Sequence, residues 1–217
     1  MANGRDAEPA AGIRHRDATD GEAHAWHRVC GVDEAGRGPL AGPVVSAAVI
    51  LPREFACEEI ADSKLMTPEA RERVAARLFR EAVVSVACAG PATIDRINIR
   101  RAALWTMRRA LAGLPFAPDV VLFDGNDVPE GVGALGFAFP SADRMSRCVA
   151  AASIVAKVVR DDLMTRLGER LPGYGFERHK GYGTAEHRAA LELHGPSAHH
   201  RLSFRPVGER AAQLAAV

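Results

Sequence analysis

Two adjacent carboxylates run straight into a glycine-bracketed arginine in the stretch Val32-Asp33-Glu34-Ala35-Gly36-Arg37-Gly38-Pro39. Hard divalent cations such as Mg²⁺ and Mn²⁺ prefer carboxylate oxygens and water, so paired acids are natural ligands for them. Gly36-Arg37-Gly38 sets backbone amides beside a guanidinium, which suits a phosphate or a sugar hydroxyl. The combination points to metal-dependent chemistry on a nucleic acid. Hydrolysis of a phosphodiester needs a nucleophilic water and a stabilised leaving oxygen, and two cations roughly 4 Å apart supply both.

Two further acids, Asp124 and Asp143, join Asp33 and Glu34 as candidates. Three of the four fall at or just beyond the ends of apolar strand-like runs, and the fourth at a helix start; ligands of α/β sheets dock at strand ends. Taken singly, each has a plainer use. Asp-Glu also suits a solvated strand end, Asp124-Gly125-Asn126 is ordinary turn chemistry, and Asp143 suits a helix cap. Adjacent strand residues point to opposite faces, so Asp33 and Glu34 share an ion only if the strand ends or bends there, which Gly36 and Gly38 allow.

Both tyrosines lie in Gly173-Tyr174-Gly175-Phe176 to His179-Lys180-Gly181-Tyr182-Gly183, where an aromatic ring can stack on a base while a cation meets phosphate. Core packing is the competing use, for Tyr174 more than for Tyr182. Of 28 basic residues only Lys64, Lys157 and Lys180 are lysine, so these positions are candidates for a compact ammonium in place of a planar fork. His194, His199 and His200 fit no common zinc spacing and read as exposed or hydrogen-bonded. Ser153 lacks a nucleophile-elbow motif, which sets aside a serine hydrolase.

The elements that must position these groups are legible in outline. Residues 28 to 34 and 43 to 51 read as an antiparallel hairpin with a long turn that carries the acidic-glycine motif. Thr67-Pro68-Glu69 reads as an N-cap with Pro in the first turn, opening a helix to about Glu81 with Val74, Leu78 and Phe79 on one face. A strand follows at 83 to 89, then one amphipathic helix over 93 to 114. Short strands are expected at 120 to 123 and 135 to 139, and Ser141-Ala142-Asp143 caps a long helix reaching about Leu167. A hairpin followed by alternating helices and strands makes an α/β protein with a mixed sheet.

Bulk properties agree with one folded domain: 217 residues, 47% of them hydrophobic, with no apolar run long enough to span a membrane. Residues 1–27 read as a disordered tail, 28–210 as the catalytic domain and 211–217 as a C-terminal tail. Cys30, Cys57, Cys88 and Cys148 form no Cys-x-x-Cys pair and read as buried reduced thiols, hence a cytoplasmic protein. A net charge of +1 argues against a nonspecific DNA coat. Between residues 170 and 206, six Lys/Arg stand against three Asp/Glu, making this the more basic face.

Gly31 to Val45, with its Asp-Glu-Ala-Gly-Arg-Gly-Pro core, resembles the opening signature of the bacterial ribonuclease HII family. Asp62-Ser63-Lys64, Ile94-Asp95 to Asn98-Ile99, Leu122 to Asn126, Ala151 to Asp161, Tyr174 to Thr184 and His199-His200-Arg201 resemble further family segments in the same order. The resemblance covers about residues 29 to 207. It implies a ribonuclease H-like fold with a central five-stranded mixed sheet flanked by helices and a C-terminal helical portion. It also implies an endonuclease that cuts the RNA strand of RNA–DNA hybrids and nicks 5′ of ribonucleotides in duplex DNA, as in ribonucleotide excision repair.

By the same resemblance Asp33, Glu34, Asp124 and Asp143 are catalytic, the first three binding Mn²⁺ or Mg²⁺. Gly36, Arg37 and Gly38 would meet the 2′-hydroxyl, and Lys64, Lys180 and Tyr182 the rest of the substrate. The expected state is a monomer, with a replication-clamp partner left open. Leu65 and Ala142 depart from the family's usual Lys and Gly. A transposase of the same broad fold and a catalytically silent hybrid-binding module are the rivals, the first disfavoured by chain length and the second by the intact acids.

Overall fold

The computed structural model describes residues 28–55, 60 and 66–216. The expected N-terminal tail, Cys57 and Lys64 lie outside them. Strands β1 (Val29–Ala35) and β2 (Val44–Ile50) form the antiparallel hairpin expected from their runs of Val, Ile and Ala. Helix α1 (Pro68–Glu81) opens as the sequence indicates: the Thr67 hydroxyl accepts from Ala70 N–H, satisfying a donor that the first turn leaves without a partner. Its buried face is Val74, Ala75 and Leu78, whereas Phe79 is 51% exposed, contrary to expectation. Strand β3 (Val83–Ala89) follows and pairs antiparallel with β2.

The single helix expected over 93 to 114 is two: α2 (Pro91–Ile97) and α3 (Ile99–Ala112). Asn98 separates them at φ 67°, and its side chain accepts from Arg101 N–H to cap α3. Asn tolerates positive φ and makes a good cap, so one residue ends one helix and starts the next. Strands β4 (Val120–Asp124) and β5 (Leu135–Phe139) then add in parallel beyond β1, giving the order β3-β2-β1-β4-β5. The sheet is therefore five-stranded and mixed, as expected.

Ser141 does not cap the long helix. It adopts left-handed geometry before a short 3₁₀ turn, Ala142–Arg144, and helix α4 (Arg147–Arg170) begins after Ser146. Helices α1 and α4 cover one face of the sheet through Ala47, Val49, Ile154 and Val155, and α3 covers the other through Val32, Met107 and Phe123. The approach of α4 is close because the contact is made by small residues. A Cβ on Gly31 would stand 2.1 Å from the Cys148 carbonyl carbon, so only glycine fits beneath the start of this helix.

Helices α5 (Phe176–His179), α6 (Ala185–His194) and α7 (Arg205–Ala215) complete the chain. The boundary expected at residue 210 falls inside α7. Cys30 and Cys148 are buried thiols, but Cys88 is exposed, which corrects that expectation. Among the described residues no helix is long and apolar enough to cross a membrane.

Candidate active site

Parallel pairing of β1 with β4 sets Val32 opposite Phe123, so the next residues along, Asp33 and Asp124, end up side by side at the same end of the sheet. The strand does not break at the acid pair as anticipated; β1 continues in register to Ala35, opposite Val45. The pleat accordingly sends the two carboxylates to opposite faces. Asp33 turns toward α4, whose Ser153 hydroxyl favours its charged form, and its Oδ1 accepts from Glu34 N–H at 2.7 Å. Glu34 opens toward α3 into a small cavity that Asp124, Gly125 and Asn126 also line. The acids thus straddle one strand end.

Asp33 is 6% exposed, and burial first, then the neighbouring Glu34, pushes its carboxyl up to about 8. Glu34 is raised chiefly by burial and pulled back by Arg37, whose Nη1 stands 3.2 Å from Oε1. Its other oxygen, Oε2, is buried with no hydrogen-bond partner. Asp124 raises both neighbours' values further, while its own Oδ1 accepts from Ala142 N–H at 2.7 Å. That bond ties the 3₁₀ turn to the end of β4, and with it the buried Asp143.

A carboxylate cluster this short of positive charge, with a buried oxygen left unpaired, is chemically suited to a hard divalent cation. Among the described residues, no three His, Cys, Asp or Glu side chains gather closely enough to hold an ion by themselves. Water or phosphate oxygens would have to complete the coordination, as is usual for Mg²⁺.

A cleft of roughly 350 Å³ runs from Glu34 and Gly36 past Ser153, Lys157 and Arg160 of α4, with Arg71 of α1 and Tyr182 also on its wall. Ser153, Lys157 and Arg160 follow helical spacing, so one face of α4 forms the floor. Lys157 is paired with Asp161 at 2.7 Å. Tyr182 is 46% exposed, with its ring under the Arg160 guanidinium at 5.8 Å.

The loop between β1 and β2 is held from beneath by two buried arginines. Arg201 donates to the carbonyls of Gly36, Arg37 and Gly42 at 2.6, 2.9 and 3.0 Å. Arg160 donates to Pro43 O and Lys180 O, both at 3.0 Å. With its carbonyls turned inward, the loop keeps donors in reserve: among the described residues neither Arg37 N–H nor Gly38 N–H makes a hydrogen bond. Gly38 lies 3.9 Å (from an ideal Cβ) from the Tyr182 ring.

Of the residues predicted from sequence, Asp33, Glu34, Asp124, Gly36, Arg37, Gly38 and Tyr182 cluster at this strand end or cleft, and Asp143 is tethered beside Asp124. Lys180 stands apart from the cleft. Its Nζ donates to Thr165 Oγ1 and Glu177 O at 2.6 and 2.7 Å, so the ammonium braces α4 against α5 and does not line the cleft. Tyr174, second choice for a substrate contact, is an anchor that stacks on Phe176 and donates to Gly195 O. Sequence reasoning assigned no role to Ser153, Arg160 or Arg201, although Ala151–Asp161 and His199-His200-Arg201 resemble family segments. The scarcity of lysine and the first of those segments pointed to Lys157.

A family model described as Ribonuclease HII matches residues 30–207. The chain is 52% identical over 186 residues to "Ribonuclease HII" of Xanthobacter autotrophicus, covering 86% of this chain and 74% of that one. It is 51% identical over 179 residues to "Ribonuclease HII" of Agrobacterium fabrum, covering 82% of each. Among solved structures, the ribonuclease H2 of Pyrococcus horikoshii OT3 superposes with a TM-score of 0.75 at 24% identity, over 88% of this chain and 100% of that one. The RNase HII of Archaeoglobus fulgidus, solved as a complex with PCNA, gives 0.71 at 26% identity over 82% and 94%. Bst-RNase HIII in complex with Mn²⁺ gives 0.66 at 19% identity over 88% and 71%.

Proposed function

Because the chain belongs to the ribonuclease HII family, and is with it an endoribonuclease acting on RNA–DNA hybrids, we propose that it also nicks duplex DNA 5′ of embedded ribonucleotides, leaving 3′-hydroxyl and 5′-phosphate ends. The observation that carries the reading is the joining of two features at the end of β1. A buried carboxylate group around Asp33, Glu34 and Asp124 leads within two residues into a loop whose Arg37 and Gly38 amides are unengaged. The first suits cations, the second a sugar hydroxyl, and the 2′-hydroxyl is what separates RNA from DNA.

In this reading Asp33, Glu34 and Asp124 hold two Mg²⁺ or Mn²⁺ ions, and Asp143 completes the catalytic set. Bound there, the ions supply activation of water and charge stabilisation at the leaving 3′ oxygen. Ser153 favours the charged form of Asp33, and Ala142 N–H orients Asp124. Gly36, Arg37 and Gly38 receive the ribose, Tyr182 packs against the nucleotide at the lip, and Arg71 and Lys157 border the backbone's path. Lys64 is proposed as a further substrate contact on the family resemblance alone. The proposal extends to a monomer working in the cytoplasm in removal of ribonucleotides from DNA.

The test is a labelled duplex with one ribonucleotide, incubated with and without Mn²⁺. A single nick 5′ of the ribonucleotide, dependent on the ion, is the expected result. Cutting of the all-DNA control, or binding without cleavage, would overturn it. A second measurement addresses the ions directly. Below about pH 8 Asp33 carries a proton in the metal-free protein, and a cation must displace it. Calorimetric titration with Mn²⁺ at pH 7, in buffers of different ionisation enthalpy, should therefore report proton release that Asp33→Asn removes.

A further inference from the structure

Three histidines of the C-terminal segment, His179, His187 and His200, meet behind Tyr182 and not in the cleft. His187 and His200 are almost wholly buried, and their hydrogen bonds define a direction. His187 Nδ1 lies 2.9 Å from Tyr182 O, and a carbonyl only accepts, so this nitrogen bears the proton. His187 Nε2 is then an acceptor, and its partner 3.1 Å away, His200 Nε2, must donate. That leaves His200 Nδ1 to accept from Ser197 N–H at 3.0 Å and the Ser197 hydroxyl at 2.9 Å. Every ring nitrogen is satisfied by one arrangement of protons, with both rings uncharged. A proton added to either imidazole sets two donors face to face.

The surroundings favour the uncharged state. His187 stacks on His179 at 4.5 Å and meets the edge of Phe176, with Glu186 beside it on α6. His200 packs against Tyr174 and Phe176, with His199 adjacent. Burial lowers both imidazoles, His200 to about 4. The chain of bonds ends on the main chain of Tyr182, whose carbonyl also accepts from Thr184 N–H and whose N–H donates to His179 O.

We propose that His187 and His200 are positioning residues, an uncharged imidazole relay that fixes the backbone carrying Tyr182 and so sets its ring at the lip of the cleft. The inference rests on the reading that Tyr182 contacts the nucleic acid. Neither histidine touches substrate in this scheme; both act through the tyrosine.

Two amide variants at one site separate positioning from general stability. In His187→Asn the amide nitrogen takes the place of Nδ1 and still donates to Tyr182 O, whereas in His187→Gln the amide reaches the place of Nε2, where its oxygen accepts from His200, and the bond to that carbonyl is lost. On the single-ribonucleotide duplex, His187→Gln should lower kcat/KM on the order of 100-fold, as small misplacements do, while His187→Asn, which keeps the bond to Tyr182 O but gives up the one to His200, should lose several-fold less. In a Tyr182→Ala background His187→Gln should add nothing, the signature of residues acting through one another. Equal losses in the two amides, or additive losses with Tyr182→Ala, overturn the proposal. A measurement on the unsubstituted protein stands apart from folding of variants: ¹⁵N NMR at pH 7 should show His187 protonated at Nδ1 alone and His200 at Nε2 alone. Any other protonation state also overturns it. Failure of the unsubstituted protein to cleave would instead sink the functional reading, while the protonation states could still be read.

Discussion

Asp33→Asn and Asp124→Asn are each expected to lower single-turnover cleavage of a hybrid by on the order of 10³-fold or more, with the fold intact. Loss of a carboxylate that holds a catalytic cation removes several kcal/mol of transition-state stabilisation, and about 1.4 kcal/mol is a factor of ten. Asn keeps the shape of Asp and still accepts a hydrogen bond, so the Glu34 N–H to Asp33 and Ala142 N–H to Asp124 contacts survive substitution. Circular dichroism and thermal melting check the fold; near-normal turnover in folded variants would remove these acids from the mechanism.

The same substitution at Asp33 has a second consequence with a definite sign. The folded-state value is raised from 3.8 to about 8, burial being the main cause. Between those limits the folded chain holds a proton that the unfolded chain has released, so stability of the metal-free protein falls as pH rises from about 4 to 8. Asp33→Asn cannot ionise and should flatten that slope, leaving the variant more stable than wild type at pH 8. Urea unfolding across the range, without divalent ions, reads the difference. Enhanced stability with lost activity is the expected mark of a site that strains the fold for function.

Much of this site was legible because strand and cap signals are local. Runs of β-branched residues gave β1, β2 and β3, and Thr67-Pro68 gave the start of α1, each decided by residues within a few positions of one another. Asp33 and Asp124 were identifiable as strand-end acids, though only parallel pairing of β1 with β4 makes them neighbours. What stayed hidden is tertiary. Arg160 reaches Pro43 O across 117 residues, and Arg201 reaches Gly36 O across 165, bonds to carbonyls that any residue provides. Asn98 broke a helix that periodicity alone continues, because hydrophobic spacing carries no information about a backbone at φ 67°. Lys180 shows the converse: a lysine retained in an arginine-rich chain can serve a compact internal bracket as readily as a ligand.

The loop that those arginines hold makes the second large prediction. Gly36 sits at φ +99°, where a side chain is strained, and a Cβ there would lie 2.0 Å from Arg160 Nε and 2.7 Å from Pro43 O. Arg160 cannot simply move aside, since its guanidinium is bonded to Pro43 O and Lys180 O and is buried. Gly36→Ala therefore meets both backbone strain and overpacking, each costing about 1–3 kcal/mol, and should destabilise the protein by roughly 2–6 kcal/mol. Cleavage should fall at least on the order of 100-fold even where the variant remains folded, because the displaced arginine also supports the segment before Tyr182. Gly38→Ala is the contrasting case. Its nearest neighbour is the Tyr182 ring at 3.9 Å and its φ is unexceptional, so the variant should melt close to wild type. If the Gly38 amide meets the ribose, Gly38→Ala loses activity by crowding substrate alone, seen as weaker binding of the ribonucleotide duplex with little change in affinity for all-DNA duplex. Equal thermal destabilisation of the two variants would mean that Gly36 is not the pinned point of the loop, and that the buried arginines do not set its shape.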